Sequence, residues 1–244
     1  DIAILSEVVK PHLGLITSIS ESHTEFLGDI KGVFNEKTSM LKFIQKDGAF
    51  IIGAEFEEGH PLYSGVISLL KQSYRNIFID APNLDRKLYS SQKEMIDAVN
   101  EGSFYSKKAF LRNLSDDMSM MEFDYTHLWN RHEYVFQNYE SHLIGFQNMK
   151  NIILVADCLR ELNYLSNNDH SNKNFVDNLR PLLCSSKVKS FNRLEHSSWL
   201  NGAHLIDDSY NANPASVKAA IEILSFASSE KFERRILILG DMLE

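Results

Sequence analysis

Hydrophobic and polar residues alternate with two different periods along the chain. In the first eighty residues, short apolar runs at 13–19, 49–53 and 76–80 are separated by segments with apolar residues at helical spacing, at 29–44 and 61–73. Short apolar runs are typical of buried strands, and strands that alternate with helices of this length form parallel sheets with right-handed crossovers. This part of the chain therefore predicts an α/β unit.

The middle of the chain has a different pattern. The segments 102–113, 118–129 and 132–145 are rich in aromatic residues and alternate between apolar and polar positions. A period of two residues without helical periodicity is typical of strands. We therefore predict a region of antiparallel ribbons between the α/β parts.

Helical spacing returns after Gly145. The pattern predicts two helices, a strand, a third helix and a final strand, at 148–162, 174–183, 204–206, 215–227 and 234–240. The predicted fold class is thus α/β, a mostly parallel sheet flanked by helices with an antiparallel ribbon region. The last strand predicts the start of a second α/β domain, which gives domains over 1–232 and 233–244.

Composition bears on three questions: nucleic-acid binding, the redox state of the compartment, and membrane insertion. The 244 residues carry 25 basic and 33 acidic side chains, a net charge of −8, without a basic block for nucleic acid. Cys158 and Cys184 form no C-x-x-C pair, which indicates a reducing compartment. No apolar run reaches the roughly 18 residues of a membrane span. We expect a cytoplasmic protein, and the chain ends, at Asp1 and "LGDMLE", indicate a piece of a longer one.

The segment "LIDDSYNANP" concentrates polar residues between a predicted strand and a predicted helix. Asn213 and Pro214 suit the cap and first turn of a helix, and capping alone is a sufficient explanation for that pair. It does not explain the preceding residues. An acid at the end of a strand often binds ribose, and helix N-termini favour phosphate. The candidate nucleotide residues here are Asp207, Asp208, Tyr210 and Asn211.

Two further pairs of residues are candidates. His23 follows the first predicted strand and Lys37 lies in the next helix. From spacing alone, a hydrogen-bonded structural histidine and a solvated lysine are the more common explanations of these two residues. Asn148 and Asn151 are three residues apart at a helix start, where their amides could read a base edge or simply cap the helix. No G-x-x-x-x-G-K-[ST], G-x-G-x-x-G, H-E-x-x-H or G-x-S-x-G motif is present.

Three stretches resemble one known family. "LIDDSYNANPASVKAAIEIL", "RRILILGDMLE" and "DIAILSEVVKPHLGLITSISESHTEFLGDIKGVFNEK" are similar to the Mur ligases of peptidoglycan synthesis. The resemblance is strong over 1–53 and 143–244 and weak between. It implies that 1–232 is the central ATP-binding domain and 233–244 the first strand of the C-terminal Rossmann-like domain. The family's phosphate loop would precede Asp1, so these residues alone would be inactive.

The resemblance implies an ATP- and Mg²⁺-dependent amide-bond ligase. The wording of the motif is nearest to the branch of the family that adds D-alanyl-D-alanine to UDP-N-acetylmuramoyl-tripeptide through an acyl phosphate, as a monomer. Two alternatives stay open: another Mur-like ligase, of the folylpolyglutamate or cyanophycin type, and a non-catalytic binding module that kept the fold.

The resemblance also implies roles for individual residues. Lys37 matches the family's carbamylated lysine and His23 its histidine, and both would bind Mg²⁺ and take part in catalysis. Asn148 and Asn151 match asparagines at the adenine, although Gln147 replaces the family's histidine. Arg193 matches an arginine near the phosphates, with Asn192 in place of a glycine. Asp208 matches the acid on the ribose, and the remaining loop positions are Tyr210, Asn211 and Asn213.

Overall fold

The computed structural model describes residues 1–20, 24–53, 62, 65, 77–79, 83–85, 108–115, 118–129, 133–167, 192–227 and 232–242. The chain divides into two compact units. The first comprises Asp1–Pro82 and Ile153–Asn178, and the second comprises Asn83–Ile152 and Leu179–Glu244.

The first unit contains a parallel three-stranded sheet in the order β1-β2-β3. Its elements are α1 (Ile2–Val9), β1 (Leu13–Ile16), α2 (Thr24–Leu27), α3 (Ile30–Thr38), a 3₁₀ helix (Ser39–Phe43), β2 (Ala49–Ile52) and β3 (Ile77–Ile79). The predicted strand–helix–strand order is therefore observed. β1 is shorter than the apolar run that predicted it, and the helix predicted over 29–44 tightens into 3₁₀ geometry after Thr38.

The sheet of the first unit packs closely against the segment after α3. A Cβ placed on Gly14 would lie 2.7 Å from the Phe50 ring, so only glycine lets the neighbouring strands and that ring approach. Phe50 and Ile52 are buried together with Ile16 and Leu41. Asp29 caps α3, because its Oδ1 accepts a hydrogen bond from Gly32 N at 2.9 Å.

The second unit contains the predicted antiparallel region. β4 (Asn83–Asp85), β5 (Lys108–Leu114), β6 (Met121–Trp129) and β7 (Glu133–Ser141) form one sheet in that order. β5, β6 and β7 pair antiparallel, whereas β4 pairs parallel with β5. The buried rings of Phe123 and Tyr139 are directly paired across β6 and β7 and stack with centroids 5.2 Å apart. The alternating pattern thus predicted β5, β6 and β7 and their antiparallel pairing, but not β4 or its parallel pairing with β5.

Two helices and a hairpin complete the described elements. They are α4 (Phe146–Asn167), whose residues from Ile153 belong to the first unit, β8 (Glu195–Ser198), a 3₁₀ helix (Leu200–Gly202), β9 (His204–Asp207) and α5 (Pro214–Ser225). β9 pairs antiparallel with β8. The expectation that the polar loop follows a strand of an open parallel sheet is therefore wrong, because the loop follows the second strand of a hairpin.

Residues 232–242 form neither helix nor strand, so the strand predicted over 234–240 is not observed. Ile236 and Ile238 are exposed at 73% and 88%. A strand exists only through hydrogen bonds to a neighbour, and no described strand pairs with this segment. The apolar run gives the segment its strand propensity but does not supply a partner.

Several predictions concern residues outside those the structure describes. These are His23, the helix over 174–183, and the helix over 61–73 apart from Leu62 and Gly65. Within the described part of the chain, no helix has the length and apolar character needed to span a bilayer.

Candidate functional site

The β8–β9 hairpin brings residues 192–194 beside residues 208–210. Glu195 pairs with Asp207 at the open end of the hairpin. Beyond this pair, Leu194 N donates a hydrogen bond to Asp208 Oδ1 at 3.2 Å, and Tyr210 N donates to the carbonyl of Asn192 at 3.0 Å. The segments around Arg193 and Asp208, which are 15 residues apart in sequence, are therefore hydrogen-bonded neighbours in the fold.

The turn at 192–194 has an unusual backbone. Asn192 and Leu194 both adopt left-handed conformations, with φ of 55° and 51°. Asparagine tolerates this region better than other non-glycine residues, and Asn192 N is further held by Glu195 Oε2 at 3.1 Å. The asparagine in place of the family's glycine is thus compatible with the turn. Leu194 carries the strain of a γ-branched residue at positive φ, a feature that clusters at functional sites.

Asp208 is a half-buried carboxylate with a perturbed ionisation. Burial raises the pKa of Asp208, and the charge of Asp207 raises it further, while the Leu194 hydrogen bond and the Arg193 charge partly oppose the shift. Oδ1 is used by Leu194, and Oδ2 has no hydrogen-bond partner among the described residues. One carboxylate oxygen is therefore available to accept from a ligand hydroxyl.

Arg193 and Tyr210 are in contact at the same site. The Arg193 guanidinium carbon lies 4.4 Å from the centre of the Tyr210 ring. Both side chains are exposed. This is a cation–π distance, so the Tyr210 ring holds the positive charge of Arg193 at the turn.

The rest of the polar loop is organised by its own backbone hydrogen bonds. Asp207 Oδ1 accepts from Ser209 N and Asn211 Oδ1 from Ala212 N, each at 3.0 Å. Asn213 forms a capping box with Ser216: Asn213 Oδ1 accepts from Ser216 N at 2.9 Å, and Ser216 Oγ accepts from Asn213 N at 3.0 Å. The capping explanation of Asn213 is therefore observed, and its ligand role stays a prediction.

The start of α4 carries the two asparagines. Asn148 Nδ2 donates to the carbonyl of Ile144 at 2.8 Å, whereas Asn151 is exposed. The Asn148 amide thus bonds to the backbone just before the helix and keeps its oxygen as an acceptor. Gly145 precedes the helix at φ 101°, a conformation that favours glycine.

Leu194 connects the hairpin turn to the start of α4. A Cβ placed on Gly145 would lie 3.4 Å from Leu194 Cδ1 and 2.5 Å from Ile223 Cδ1. Leu194 packs against the buried cluster that contains Ile144 and Ile223. Sequence reasoning missed this residue, and its only signal was a lone apolar side chain within the polar segment "FNRLE".

Lys37 belongs to the first unit. Its Nζ donates to the carbonyl of Ser18 at 2.8 Å, and burial lowers the pKa of the Lys37 amine. A lowered pKa increases the neutral fraction, which is the form that reacts with CO₂. His23 lies outside the described residues. Across the described ranges, no group of three or more His, Cys, Asp or Glu side chains could hold a metal ion.

A family model decides the identity of the fold. The Mur ligase middle domain matches residues 2–159. The chain belongs to the Mur ligase family. The predicted family and the α/β class are therefore confirmed for this Mur ligase chain.

Curated relatives and solved structures agree with this assignment. The UDP-N-acetylmuramoyl-tripeptide–D-alanyl-D-alanine ligases of Bacillus subtilis (strain 168) and Rickettsia prowazekii (strain Madrid E) are 26% and 24% identical over alignments of 246 and 245 residues. Both alignments cover 100% of this chain, which spans 42% and 44% of those proteins.

Two solved structures share the fold. MurF from Acinetobacter baumannii has a TM-score of 0.61 at 18% identity, over 92% of this chain and 39% of that one. MurF from Thermotoga maritima, a complex with ADP, has a TM-score of 0.57 at 16% identity, over 91% and 41%.

Proposed function

We propose that the full-length protein is an ATP-dependent ligase that joins D-alanyl-D-alanine to UDP-N-acetylmuramoyl-tripeptide during synthesis of the peptidoglycan precursor. The observation that supports nucleotide binding is the carboxylate of Asp208, held by Leu194 with one oxygen left to accept a hydroxyl. The substrates are those named for the two ligases that align over the whole chain. The motif "DDSYNANP" supports the same branch of the family.

The second unit supplies the proposed nucleotide contacts. Asp208 Oδ2 accepts from a ribose hydroxyl, and Arg193 binds phosphate oxygens as a forked donor. Asn148 and Asn151 bind the edge of the adenine. The loop residues Tyr210, Asn211 and Asn213 surround the nucleotide, and the structure of the related MurF with ADP supports a nucleotide at this fold.

The first unit supplies the proposed metal ligand. The lone pair of neutral Lys37 Nζ attacks the carbon of CO₂, and loss of one ammonium proton leaves an anionic carbamate. The remaining N–H continues to donate to the Ser18 carbonyl. Carbamate oxygens suit Mg²⁺, which would be bound by Lys37 and His23 and would neutralise charge on phosphate oxygens during transfer. The half-buried, hydrogen-bonded amine, whose pKa is lowered by burial, fits this chemistry.

Asn192 bears on the alternative of a non-catalytic module. An asparagine in place of the family's glycine is a departure that a degenerate site would be expected to carry. Since Asn192 adopts the left-handed conformation and the turn still carries Arg193 beside Tyr210, the substitution does not favour loss of function. We also propose that the protein is a cytoplasmic monomer with the domain boundary at 232/233.

The test uses the full-length protein with UDP-N-acetylmuramoyl-tripeptide, D-alanyl-D-alanine, ATP and Mg²⁺. We expect the pentapeptide product by mass spectrometry, with one phosphate released per product. L-Alanyl-L-alanine is the matched control for the amino substrate, and glutamate tests the folylpolyglutamate alternative. Phosphate release that does not depend on D-alanyl-D-alanine, or product formed only with glutamate, would contradict the proposal.

A further inference from the structure

A pair of histidines faces each other across the β8–β9 hairpin, outside the proposed nucleotide contacts. His196 Nε2 and His204 Nδ1 are 3.0 Å apart, and the ring centroids are 5.2 Å apart with 31° between the planes. His196 pairs with Ile206, and His204 pairs with Ser198. Alternation along antiparallel strands therefore puts both histidines on one face of the hairpin, as diagonal neighbours.

The pair is held in position by its surroundings. The side chains of His196 and His204 are both half-buried. The His204 ring also makes an edge-to-face contact with the Phe232 ring, with centroids 5.3 Å apart and 80° between the planes. Phe232 and Ile206 pack against the buried cluster of the second unit. The two nitrogens are thus presented by packed side chains on paired strands rather than by a loop.

We propose that His196 and His204 form a site for a nitrogen-preferring divalent transition metal such as Zn²⁺, Ni²⁺ or Cu²⁺. A metal–nitrogen bond of about 2.0–2.1 Å separates two ligand nitrogens by about 2.9 Å at a right angle and about 3.4 Å at a tetrahedral angle. The observed 3.0 Å lies within this interval. Water completes the coordination sphere, because the hairpin offers two imidazoles on this face.

Metal binding requires one change of tautomer. In the hydrogen bond, one facing nitrogen carries a proton and the other accepts it. When the metal binds, the donor ring loses that proton to water and takes one up from water on its other nitrogen. Both facing nitrogens then present lone pairs, and the number of protons on the two rings is unchanged. The metal then occupies the position of the shared proton and joins β8 to β9.

This site differs in chemistry from the Mg²⁺ site of the proposed reaction. Mg²⁺ prefers an octahedron of oxygen ligands, whereas two imidazoles suit softer ions. The carboxylates of Glu195 and Asp207 belong to the opposite face of the hairpin by the same alternation. A metal at His196 and His204 would brace the hairpin whose open end carries Leu194 and Asp208.

The test is calorimetric titration of the full-length protein with ZnCl₂ in the presence of excess Mg²⁺. We expect one equivalent of Zn²⁺ whose affinity falls by more than about tenfold in His196→Ala and in His204→Ala. The matched control is His142→Ala, which removes an exposed histidine whose Nδ1 contacts the Ser119 carbonyl. His204→Asn keeps an acceptor in the position of Nδ1 without an imidazole, so it should preserve the hairpin and lose the metal.

Thermal unfolding gives a second measurement. Zn²⁺ should raise the melting temperature of the wild type and of His142→Ala but not that of His204→Asn. The proposal is overturned if Zn²⁺ binds His204→Asn as tightly as the wild type, or if His142→Ala loses as much affinity as the two hairpin variants. Neither result depends on ligase activity, so the proposed function stands or fails separately.

Discussion

The guanidinium carbon of Arg193 lies 4.4 Å from the centre of the Tyr210 ring. The ring itself is anchored, because Tyr210 N donates to the carbonyl of Asn192 at 3.0 Å. One backbone hydrogen bond thus connects Asn192, which precedes Arg193, to Tyr210, whose ring contacts the Arg193 guanidinium. The contact fixes where the positive charge of the turn lies, which matters if that charge binds phosphate.

This contact predicts different effects for two substitutions of Tyr210. Tyr210→Leu removes the aromatic face, and an exposed cation–π contact contributes about 0.5–1 kcal/mol, so the KM for ATP should rise about two- to fivefold. Tyr210→Phe keeps the face and should retain wild-type KM. Steady-state ligase kinetics measure both. Equal KM values for the Leu and Phe variants would show that the aromatic face of Tyr210 does not position Arg193. A raised KM in Tyr210→Phe as large as that in Tyr210→Leu would assign the role to the hydroxyl group.

Asp208→Ala should weaken ATP binding more than it slows the chemical step. Loss of a charge-assisted hydrogen bond to ribose costs about 1.5–3 kcal/mol. Asp208→Asn is the sharper variant, because an amide oxygen can still accept from Leu194 N and preserve the turn. ATP affinity by equilibrium binding is the measurement. Wild-type affinity in both variants would exclude Asp208 from the ribose.

The raised pKa of Asp208 predicts the pH dependence of both binding and stability. As pH falls from neutral, Asp208 should protonate at a higher pH than an ordinary aspartate, so the ratio of wild-type to Asp208→Asn affinity for ATP should decline early. For stability the sign is opposite: burying the charge costs free energy above the folded-state pKa, and this cost disappears as pH falls below the unfolded-state value. Binding and urea unfolding of both proteins across the acidic range test this. A ratio that stays constant with pH contradicts it.

In the full-length protein, Lys37→Ala should lose most ligase activity, because the proposed carbamate would no longer supply an anionic oxygen ligand. Lys37→Arg should fare no better, since a guanidinium cannot take up CO₂. A short-chain carboxylic acid should restore part of the activity of Lys37→Ala. Phosphate release at saturating Mg²⁺ measures all three, and the NMR signal of a carbamate from ¹³C-labelled CO₂ should vanish in both variants.

The matched control for Lys37 is Lys31→Ala, an exposed lysine on the same helix. It should keep its turnover and change the free energy of unfolding by no more than about 0.5 kcal/mol. Near wild-type rates in both Lys37 variants would end the proposal that Lys37 is a metal ligand.

Gly145→Ala should destabilise the protein for two separable reasons. Alanine would be strained at φ 101°, and its Cβ would lie 2.5 Å from Ile223 Cδ1. We expect the free energy of unfolding to fall by about 2 kcal/mol or more in urea. Gly202→Ala isolates the strain, since Gly202 has φ 76° and no described atom within 4 Å of an added Cβ, and should cost about 1 kcal/mol. Ile223→Val removes the clashing methyl group, so the double variant should recover part of the Gly145→Ala loss. Strict additivity would contradict the packing explanation.

The periodicity of the sequence predicted the helices and strands better than it predicted which distant segments pair or pack with one another. The helix after Gly145, the parallel order of the first strands and the antiparallel middle region follow from periodicity, which local residues determine. Pairing between distant segments is not encoded in that period. Periodicity therefore does not predict that the polar loop follows a hairpin strand, or that no described strand pairs with 234–240. It also does not predict that Leu194 at positive φ lies between the two groups of proposed nucleotide residues.

Leu194 links the position of the Asp208 carboxylate to the start of α4. Its amide sets the location of the Asp208 carboxylate, and its side chain lies beside Gly145, one turn before Asn148. Because a packed core resists continuous deformation, the span from the carboxylate to the amide is fixed. Under the proposed roles of Asp208 at the sugar and Asn148 at the base, this fixed span would limit the size of the nucleoside that the two residues can bind together. Leu194 would then influence the choice of nucleotide through the position of Asp208, without contacting the nucleotide itself.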